Sequence, residues 1–451
     1  MSDRPDTPAV DSAQREPTAS PPTASPPIAS RPTGWRSGSP GLVLWAGTAT
    51  VSGLGDSVQA FALSWEASGF GPAAAATVAT LGILPRVLLM LLGGVAADRY
   101  GIRRVMIICD GCMIIVLGCA VGYLSAVPVS LAVIIAISML AGAISAFYLP
   151  AAGGFLRLFV PTDQLPRVMA RVSGLQQVAR LIGPSLGAVL VIMVGLRGVS
   201  MINLVSFAAI MMVLSLVRPP ISLRATDPGA AGQGADGTGG PPRGIRSVVA
   251  DLATGVGQAA RTPGMRAALG SLALVAGGVL PMLYLCLPLA VRERQWGVTA
   301  AGTIESCWIV GTLAVTLVVA KVGVHHRTGL MIVLGPLVAA VGVTLIAVAP
   351  TVPIAGVGAV LMGVGTAVYT GHLSPLFLVW TPPALTARFQ SLFGIVQAAP
   401  MLVMNPFFGL AATAVNATAA LAAAAVSCLA ASAVALSSAR LRTSDATVGT
   451  A

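Results

Sequence analysis

The sequence predicts an all-α integral membrane protein with twelve transmembrane helices, and three observations support this fold class. Of its 451 residues, 56% are hydrophobic and only 9% are charged, whereas soluble domains contain about 25% charged residues. The apolar residues form runs of roughly 20, the helix length that crosses a bilayer. The runs also divide into six before and six after a Gly/Pro-rich segment, as in a protein built from two related halves.

The apolar runs define the predicted spans. They lie at 42–65, 73–96, 105–126, 129–152, 172–194 and 198–217, and then at 266–290, 298–320, 329–349, 353–380, 389–411 and 414–437. The predicted organisation is a disordered cytoplasmic tail over 1–40, a six-helix bundle over 41–217, a cytoplasmic linker over 218–264, a second six-helix bundle over 265–438 and a cytoplasmic tail over 439–451. The end of the linker has apolar residues at helical spacing, which fits an interfacial amphipathic helix or a solvated connector.

The distribution of basic residues predicts the orientation. The net charge is +11, and the arginines concentrate in the loops after spans 2 and 4, in the linker and after span 8. Because positive loops stay on the cytoplasmic side, both termini are expected to be cytoplasmic, with the protein crossing the cell (inner) membrane many times. The basic residues do not form one patch, so nucleic acid is not expected as a partner.

Composition also weighs against other function classes. The six cysteines fall inside apolar runs, without the second pair or nearby histidines of a metal site, so they are expected to be core residues. No close pair of acids for Mg²⁺ lies inside a span, and no nucleophile motif accompanies the three histidines. We therefore expect neither an enzyme nor a cofactor; a non-transporting sensor stays an alternative.

A charged turn joins spans 2 and 3 in the segment LLGGVAADRYGIRRVMII, which runs from Leu91 to Ile108. Asp98 falls at the C-terminal end of a helix, where the helix dipole disfavours negative charge, so it needs a cation or another helix's N-terminus. The residues expected to serve the turn are Gly94 (close helix approach), Arg99, Gly101 (the turn), and Arg103 and Arg104 (headgroups or carboxylates). Asp110 is a candidate partner for one of these arginines. A plain topology anchor is the alternative.

The turn resembles motif A of the major facilitator superfamily, Gly-x-x-x-Asp-Arg-x-Gly-Arg-Arg. The resemblance implies a latch on the cytoplasmic side, closed when the transporter faces outward, in which Asp98 meets the N-terminal end of helix 11. Arg99 is then its near neighbour, and Arg103 and Arg104 form the basic end. Ile102 departs mildly from the motif, and the equivalent turn of the second half, AKVGVHHRTG, lacks the Asp.

Span 5 carries a second resemblance. Its segment ARLIGPSLGA is similar to motif C, the Gly-Pro-x-x-Gly signature of proton-driven exporters in the same superfamily. Gly183 and Gly187 would let a partner helix pack closely, and Pro184 removes a backbone hydrogen bond and bends the helix. A kinked packing helix without directional meaning is the alternative.

The segments GLGD, DQLPRVMA and ARLIGP resemble the macrolide-efflux and enterobactin-exporter-like branch of drug:proton antiporters. That likeness implies two pseudo-symmetric six-helix bundles and export of a small organic molecule (antibiotic, siderophore or related natural product). It also implies alternating access, a proton gradient as the energy source, and a monomer in the lipid bilayer. A solute:proton symporter or a facilitator for uptake is the alternative.

Ionisable residues inside the spans are the candidate transport residues, because burying them in a membrane is unfavourable without a role. Asp56 and Glu305 are the candidates for proton coupling; a helix–helix hydrogen bond for Asp56 and a wet interfacial position for Glu305 are the alternatives. Arg86 and Arg180 are candidate partners of Asp56 or of an anionic substrate. The remaining candidates for lining a substrate cavity are Gln59, Gln176, Tyr284, Trp308, His372, Gln397 and Asn405, with packing, or a structural role for His372, as the alternative.

Overall fold

A computed structural model describes residues 40–160, 165–217, 257, 262, 264–323, 325–381 and 386–444. The predictions for the first tail, for the linker over 218–256 and for the end of the second tail lie outside these residues.

The described chain is helical. In chain order, α1 is Pro40–Gly69, α2 Pro72–Tyr100, α3 Ile102–Ala126 and α4 Leu131–Phe155, which a 3₁₀ turn at Leu156–Leu158 follows; α5 and α6 are the parts of Leu165–Leu216 before and after Gly195. α7 comprises Met265–Pro281, a π-helical turn at Met282–Cys286 and Leu287–Glu293; α8 is Val298–Val322, α9 Thr328–Val348 and α10 Val352–Trp380. α11 comprises Thr386–Ala398 and Met401–Ala414, α12 is Ala417–Ser437, and a short α13 is Ala439–Arg442.

These helices make twelve crossings of the bundle. Among the described residues, 10 helices are long and apolar enough to span a membrane, and one of them, Arg171–Leu216, contains both α5 and α6. α1 adds the remaining crossing. It is not among those 10 helices because polar residues such as Asp56 lower its hydropathy. The chain is therefore a multi-pass membrane protein.

The connection between α5 and α6 differs from the predicted one. The sequence predicted a short loop between residues 194 and 198, but the two helices meet at a single residue, Gly195, with φ 62° and ψ −175°. Because a residue with a Cβ rarely adopts this conformation, glycine allows the chain to reverse without a loop. α5 also begins at Leu165 instead of residue 172, since a helix can continue beyond the apolar run that marked it.

The packing of the first half repeats in the second. α2 packs against α4, and α8 packs in the same way against α10. Both contacts depend on glycine: a Cβ on Gly142 would overlap the carbonyl of Gly82, and one on Gly363 would overlap the carbonyl of Trp308. Small residues let helix backbones approach in a membrane, where dispersion and hydrogen bonds replace the hydrophobic driving force. This repeat confirms the predicted fold of two pseudo-symmetric six-helix bundles.

Candidate functional site

The two halves meet mainly at the end of the bundle where α1 ends and α2 begins, which the charge pattern predicts to be external. Four helix pairs make most of this contact among the described residues: α1 with α7, α2 with α7, α2 with α11, and α5 with α8. In the α2–α11 pair, Gly409 lies directly against Ala76 and the carbonyl of Pro72. Farther from this end, Gly394 lies near the Met90 side chain.

The α1–α7 contact is built around one arginine. Arg292, at the end of α7, stacks over the Trp65 ring with its Cζ 4.0 Å from the ring centroid. It also donates hydrogen bonds to Ser68 Oγ (2.7 Å) and to the Trp65 carbonyl (2.8 Å). We call Trp65, Ser68 and Arg292 the external clasp. A partly desolvated cation–π contact contributes about 0.5–2 kcal/mol, so the clasp stabilises closure of this side.

Glu293 and Arg294, which follow Arg292, fix the C-terminal end of α7 to the second half. The Glu293 carboxylate accepts hydrogen bonds from the Ala417 N–H (2.9 and 3.1 Å) at the start of α12. Arg294 donates to the carbonyls of Ile346 (2.9 Å) and Ala347 (2.5 Å) at the end of α9. Burial lowers the pKa of the Arg294 guanidinium from its usual range, and the Glu293 carboxylate opposes that shift. Arg292 thus contacts the first half from a helix end that is fixed to the second half.

The segment that resembles motif C lies where α1, α5 and α8 meet. A Cβ on Gly183 would overlap the Ser57 side chain of α1, and one on Gly187 would lie 3.1 Å from the Phe61 ring. On the other side of α5, the Pro184 carbonyl would lie 2.6 Å from a Cβ on Gly302 of α8. Both glycines therefore pack a partner helix of their own half, while Pro184 contacts the other half.

A pair of serines adds a polar contact between the halves at the same place. The Ser185 and Ser306 hydroxyls are 2.8 Å apart, and Ser185 also donates to the Gly302 carbonyl at 3.4 Å. A hydroxyl–hydroxyl bond can reform with water when helices separate, so it suits a contact that opens.

Asp56 has a different partner from those the sequence suggested. The residue lies at an exposed position of α1, and the Asn203 amide of α6 donates to its carboxyl at 3.3 Å, which is the helix–helix hydrogen bond named as the alternative. Arg86 and Arg180, proposed as partners, make no hydrogen bond to Asp56 in the described structure. The nearby Ser52 and Gln59 side chains are buried, and the Gln59 amide has no hydrogen-bond partner among the described residues.

The residues of the charged turn are only partly described. The side chains of Asp98 and of residues 382–391 lie outside the description, so the latch against helix 11 stays a prediction. Arg99 and Arg104 are exposed, and Gly101 joins α2 to α3 with φ 88°. The close helix approach expected at Gly94 is wrong by one residue: a Cβ there would meet nothing, whereas one on Gly93 would overlap the Ala146 carbonyl.

Asp110 is not paired with the arginines of the turn. Arg103 instead donates to the carbonyls of Leu214 and Ser215 (both 2.8 Å) at the end of α6. Asp110 is fully buried in α3, and neither carboxyl oxygen has a hydrogen-bond partner among the described residues. The helix dipole explains why Arg103 bonds to the end of α6, since free carbonyls at a helix C-terminus attract a cation.

Four candidate residues from four helices are linked by electrostatic interactions. Arg86 of α2 lies within electrostatic range of Arg180 of α5 and of Tyr284 of α7, and Tyr284 in turn interacts with Glu305 of α8. Arg180 is exposed and Arg86 half-buried, whereas Glu305 is buried. The first half therefore contributes two cations and the second half an aromatic hydroxyl and an acid.

The other cavity candidates divide into packed and accessible residues. His372 is buried, its Nδ1 2.7 Å from the Val368 carbonyl, and the His325 N–H donates to its Nε2 at 3.2 Å. Both ring nitrogens are thus occupied, which corrects its assignment to the cavity and fits the structural alternative. Trp308 donates to Thr366 Oγ1 (3.3 Å) within the second half. Asn405 is buried without a described partner, Gln176 is half-buried and Gln397 exposed.

The geometry defines a class: a helical membrane protein of two pseudo-symmetric bundles, joined at one end, with polar groups from both halves between them. The model of the Major Facilitator Superfamily matches residues 45–404. The chain belongs to the major facilitator superfamily, and it is a transporter by fold. Among curated proteins, no sequence matches this chain.

Solved structures show the same fold at low identity. A POT family transporter in complex with 5-aminolevulinic acid is similar over 89% of this chain and 96% of its own, at 13% identity and a TM-score of 0.68. A POT family transporter in complex with a thioalcohol-conjugated peptide is similar over 90% and 97%, at 13% identity and a TM-score of 0.70. A bacterial homologue of the human lysosomal transporter Spinster, in an inward-facing and unoccupied conformation, is similar over 89% and 95%, at 14% identity and a TM-score of 0.61.

Proposed function

We propose that this protein exports a small organic molecule by proton antiport with alternating access. The observation that carries the proposal is the closure of one end, where residues that the structure describes join the halves beside the external clasp. Closure of the end predicted to be external fits the inward-facing state of a transporter whose halves rock about a central site. Similarity of the fold to transporters that hold small organic ligands supports a substrate of that kind.

The resemblance to motif C supports export rather than uptake. Its glycines pack α5 against α1, and its proline carbonyl contacts α8 of the other half. The motif therefore lies at a helix contact that must change when the external side opens. Uptake by symport or facilitated diffusion is the second candidate, and the direction of transport separates the two.

Asp56 and Glu305 are the proposed proton-coupling residues. Asp56 lies near the middle of α1, and its carboxyl is held by an amide that can bond to either protonation state. Glu305 is buried beside the contact between α5 and α8. A carboxyl whose access to water changes with the conformation can bind a proton on one side and release it on the other.

The proposal also includes the membrane, the orientation and the assembly. Both termini lie in the cytoplasm, the membrane is the cell membrane, and the protein works as a monomer with bundles over 41–217 and 265–438. Positive charge in the loops of one side supports this orientation.

Transport into everted vesicles tests the function. Vesicles containing the protein are energised and given a panel of hydrophobic antibiotics and siderophores, with and without an uncoupler. Accumulation of a panel member that the uncoupler abolishes supports proton-coupled export. Accumulation that is indifferent to the uncoupler contradicts proton coupling, and transport found only in right-side-out vesicles contradicts export.

A further inference from the structure

All three histidines of the chain meet at one place, although the third is distant from the other two in sequence. His325 and His326 lie in the turn between α8 and α9, and His372 lies on α10, near the end predicted to be cytoplasmic. The His325 and His326 rings stack with their centroids 4.2 Å apart. We call His325, His326 and Arg327 the histidine turn.

His372 holds the turn through hydrogen bonds that define its protonation state. Its Nδ1 lies 2.7 Å from the Val368 carbonyl, which can only accept, so Nδ1 carries a proton. Its Nε2 accepts from the backbone N–H of His325 at 3.2 Å, so Nε2 carries none. These bonds require a neutral imidazole, and a proton added to Nε2 removes the bond to the turn.

His325 makes a similar bond within the turn. Its Nδ1 accepts from the Arg327 N–H at 3.1 Å, and its carbonyl accepts from the Thr328 hydroxyl at 3.0 Å, at the start of α9. Because a protonated imidazole is a donor at both nitrogens, protonation of His325 removes the bond from Arg327. Two protonated rings stacked at this distance would also repel each other.

The described surroundings offer no carboxylate to hold a protonated imidazole. The helices that contact α10 are α7, α8 and α9; α10 has only Tyr369 and His372 as titratable groups, and α9 has no charged residue. At the end where the histidines lie, the charged groups of the described elements are all cations: Arg266 of α7, Lys321 of α8, Arg327 of the turn, and Arg440 and Arg442 of α13.

The start of α9, which follows the histidine turn, also contacts the C-terminal segment. The Gly329 N–H donates to the Ser444 carbonyl at 3.0 Å, and a Cβ on Gly329 would overlap the Leu441 carbonyl. Leu441 is fully buried. Release of the turn from α10 therefore acts on a closely packed part of the second half.

We propose that the histidine turn is a pH-sensitive switch, which neutral His325 and His372 hold against α10 and which their protonation releases. Histidine is the side chain that ordinarily changes its charge between pH 5 and 8, so acidification on the cytoplasmic side would open the turn. The switch is separate from Asp56 and Glu305. It applies to export and to uptake alike, and it does not rest on the proposed function.

Amide hydrogen exchange of the purified full-length protein tests the switch without requiring transport. The protection of peptides that cover the histidine turn is measured at about pH 7.5 and about pH 5.5, on either side of the ordinary histidine range, and is corrected for the intrinsic exchange rate. The turn at 127–130, which has no titratable side chain, checks that correction.

The variants replace the two accepting nitrogens by amide oxygens that gain no proton in this pH range. They are His372→Gln, whose oxygen replaces Nε2, His325→Asn, whose oxygen replaces Nδ1, and the double variant. His326→Gln is the matched control, because it removes an imidazole of the same turn that makes no hydrogen bond to a described residue. Thermal unfolding checks that each variant is folded.

The expected result is a fall in corrected protection of about tenfold from the higher to the lower pH in the natural protein and in His326→Gln. A state that excludes the proton loses a factor of about ten for each pH unit below the ordinary histidine value of about 6.5. In the double variant, protection is the same at both pH values.

Three outcomes overturn the inference. Equal protection at both pH values in the natural protein would contradict it without any variant. A fall that persists in the double variant would assign the pH response to other groups. A fall that disappears in His326→Gln would assign it to the stacked ring instead of the two accepting rings.

Discussion

At the residue scale, polar groups in the spans separate into those that hold helices together and those that are free to act. His372 belongs to the first kind, because both ring nitrogens are bonded. Asp56 is assigned to the second, because a single described bond, from the Asn203 amide, joins its carboxyl to another helix and does not prevent protonation. The sequence named both residues as candidates, but it could not tell them apart, since each is a lone ionisable residue in an apolar run.

Replacing Asp56 by Asn is expected to abolish proton-coupled transport while the protein still folds. The amide keeps a side chain of the same shape beside Asn203 but cannot bind and release a proton. Uncoupler-sensitive accumulation in everted vesicles should disappear, with Tm nearly unchanged.

Asn203→Ala is the matched control for Asp56→Asn, because it removes the hydrogen bond and leaves the carboxyl. It should retain uncoupler-sensitive transport. Normal gradient-driven export by Asp56→Asn would exclude the coupling role.

Replacing His372 by Ala is expected to lower stability and leave substrate recognition intact. The substitution removes a buried imidazole whose nitrogens contact the Val368 carbonyl and the His325 N–H, and each lost hydrogen bond costs about 0.5–1.5 kcal/mol. Thermal unfolding should show a lower Tm, and the KM for transport should not change. A KM several-fold higher at unchanged Tm would return His372 to the cavity.

At the element scale, close packing of helices through small residues determines which helices touch across the halves. α8 approaches α5 because Gly302 has no side chain, and α11 approaches α2 because Gly409 has none. The same feature within each half pairs α2 with α4 and α8 with α10. The contact between α5 and α8 is therefore sensitive to a single methyl group.

Gly302→Ala is expected to destabilise the contact between α5 and α8. The added Cβ would lie 2.6 Å from the Pro184 carbonyl and 2.8 Å from the Ala188 Cβ, and overpacking of this kind costs about 1–3 kcal/mol. Tm should fall accordingly in detergent.

Gly53→Ala is the matched control for Gly302→Ala, because a Cβ at Gly53 meets no atom within 4 Å. It should leave Tm unchanged or raise it, since Ala is the better helix former by about 1 kcal/mol. Equal losses of Tm in both variants would contradict the packing account.

Much of the fold at this scale could be predicted from the sequence. Apolar runs located the spans, because the bilayer imposes one length on every helix. Details of packing could not be predicted: Gly93 and Gly94 are equivalent in sequence, and which one faces α4 depends on the rotation of α2. The direct junction at Gly195 was not predicted, because a glycine between two apolar runs also fits an ordinary loop.

At the scale of the whole molecule, the external clasp joins the two halves at one end of the bundle. Trp65 and Arg292 are distant in sequence and belong to different halves, so no local pattern could bring them together. A weak signal was present, since charged residues are rare in the loops predicted to be external and Arg292, Glu293 and Arg294 are consecutive there.

Arg292→Ala is expected to shift the protein toward an outward-open form. Removing the guanidinium deletes the stacking on Trp65 and two hydrogen bonds, while the internal side is unchanged. A cysteine placed at Ser185, in a background without the six native cysteines, should react faster with a membrane-impermeant maleimide added from outside.

Arg294→Ala serves as the control for Arg292→Ala, because Arg294 bonds only within the second half in the described structure. It should not increase the reaction rate of the cysteine. Equal rates for both variants would show that Arg292 acts through folding and not through closure.

Glu293 and Arg294 anchor the C-terminal end of α7 to α12 and α9. When the halves separate, the Arg292 backbone therefore stays in place while its side chain loses the contacts with Trp65 and Ser68. The natural protein thereby carries its own chemical reporter. Phenylglyoxal, a reagent for guanidinium groups, would modify Arg292 faster the longer the protein is outward-open, and peptide mass mapping would read the rate at this residue, separately from the other arginines, without any engineered residue.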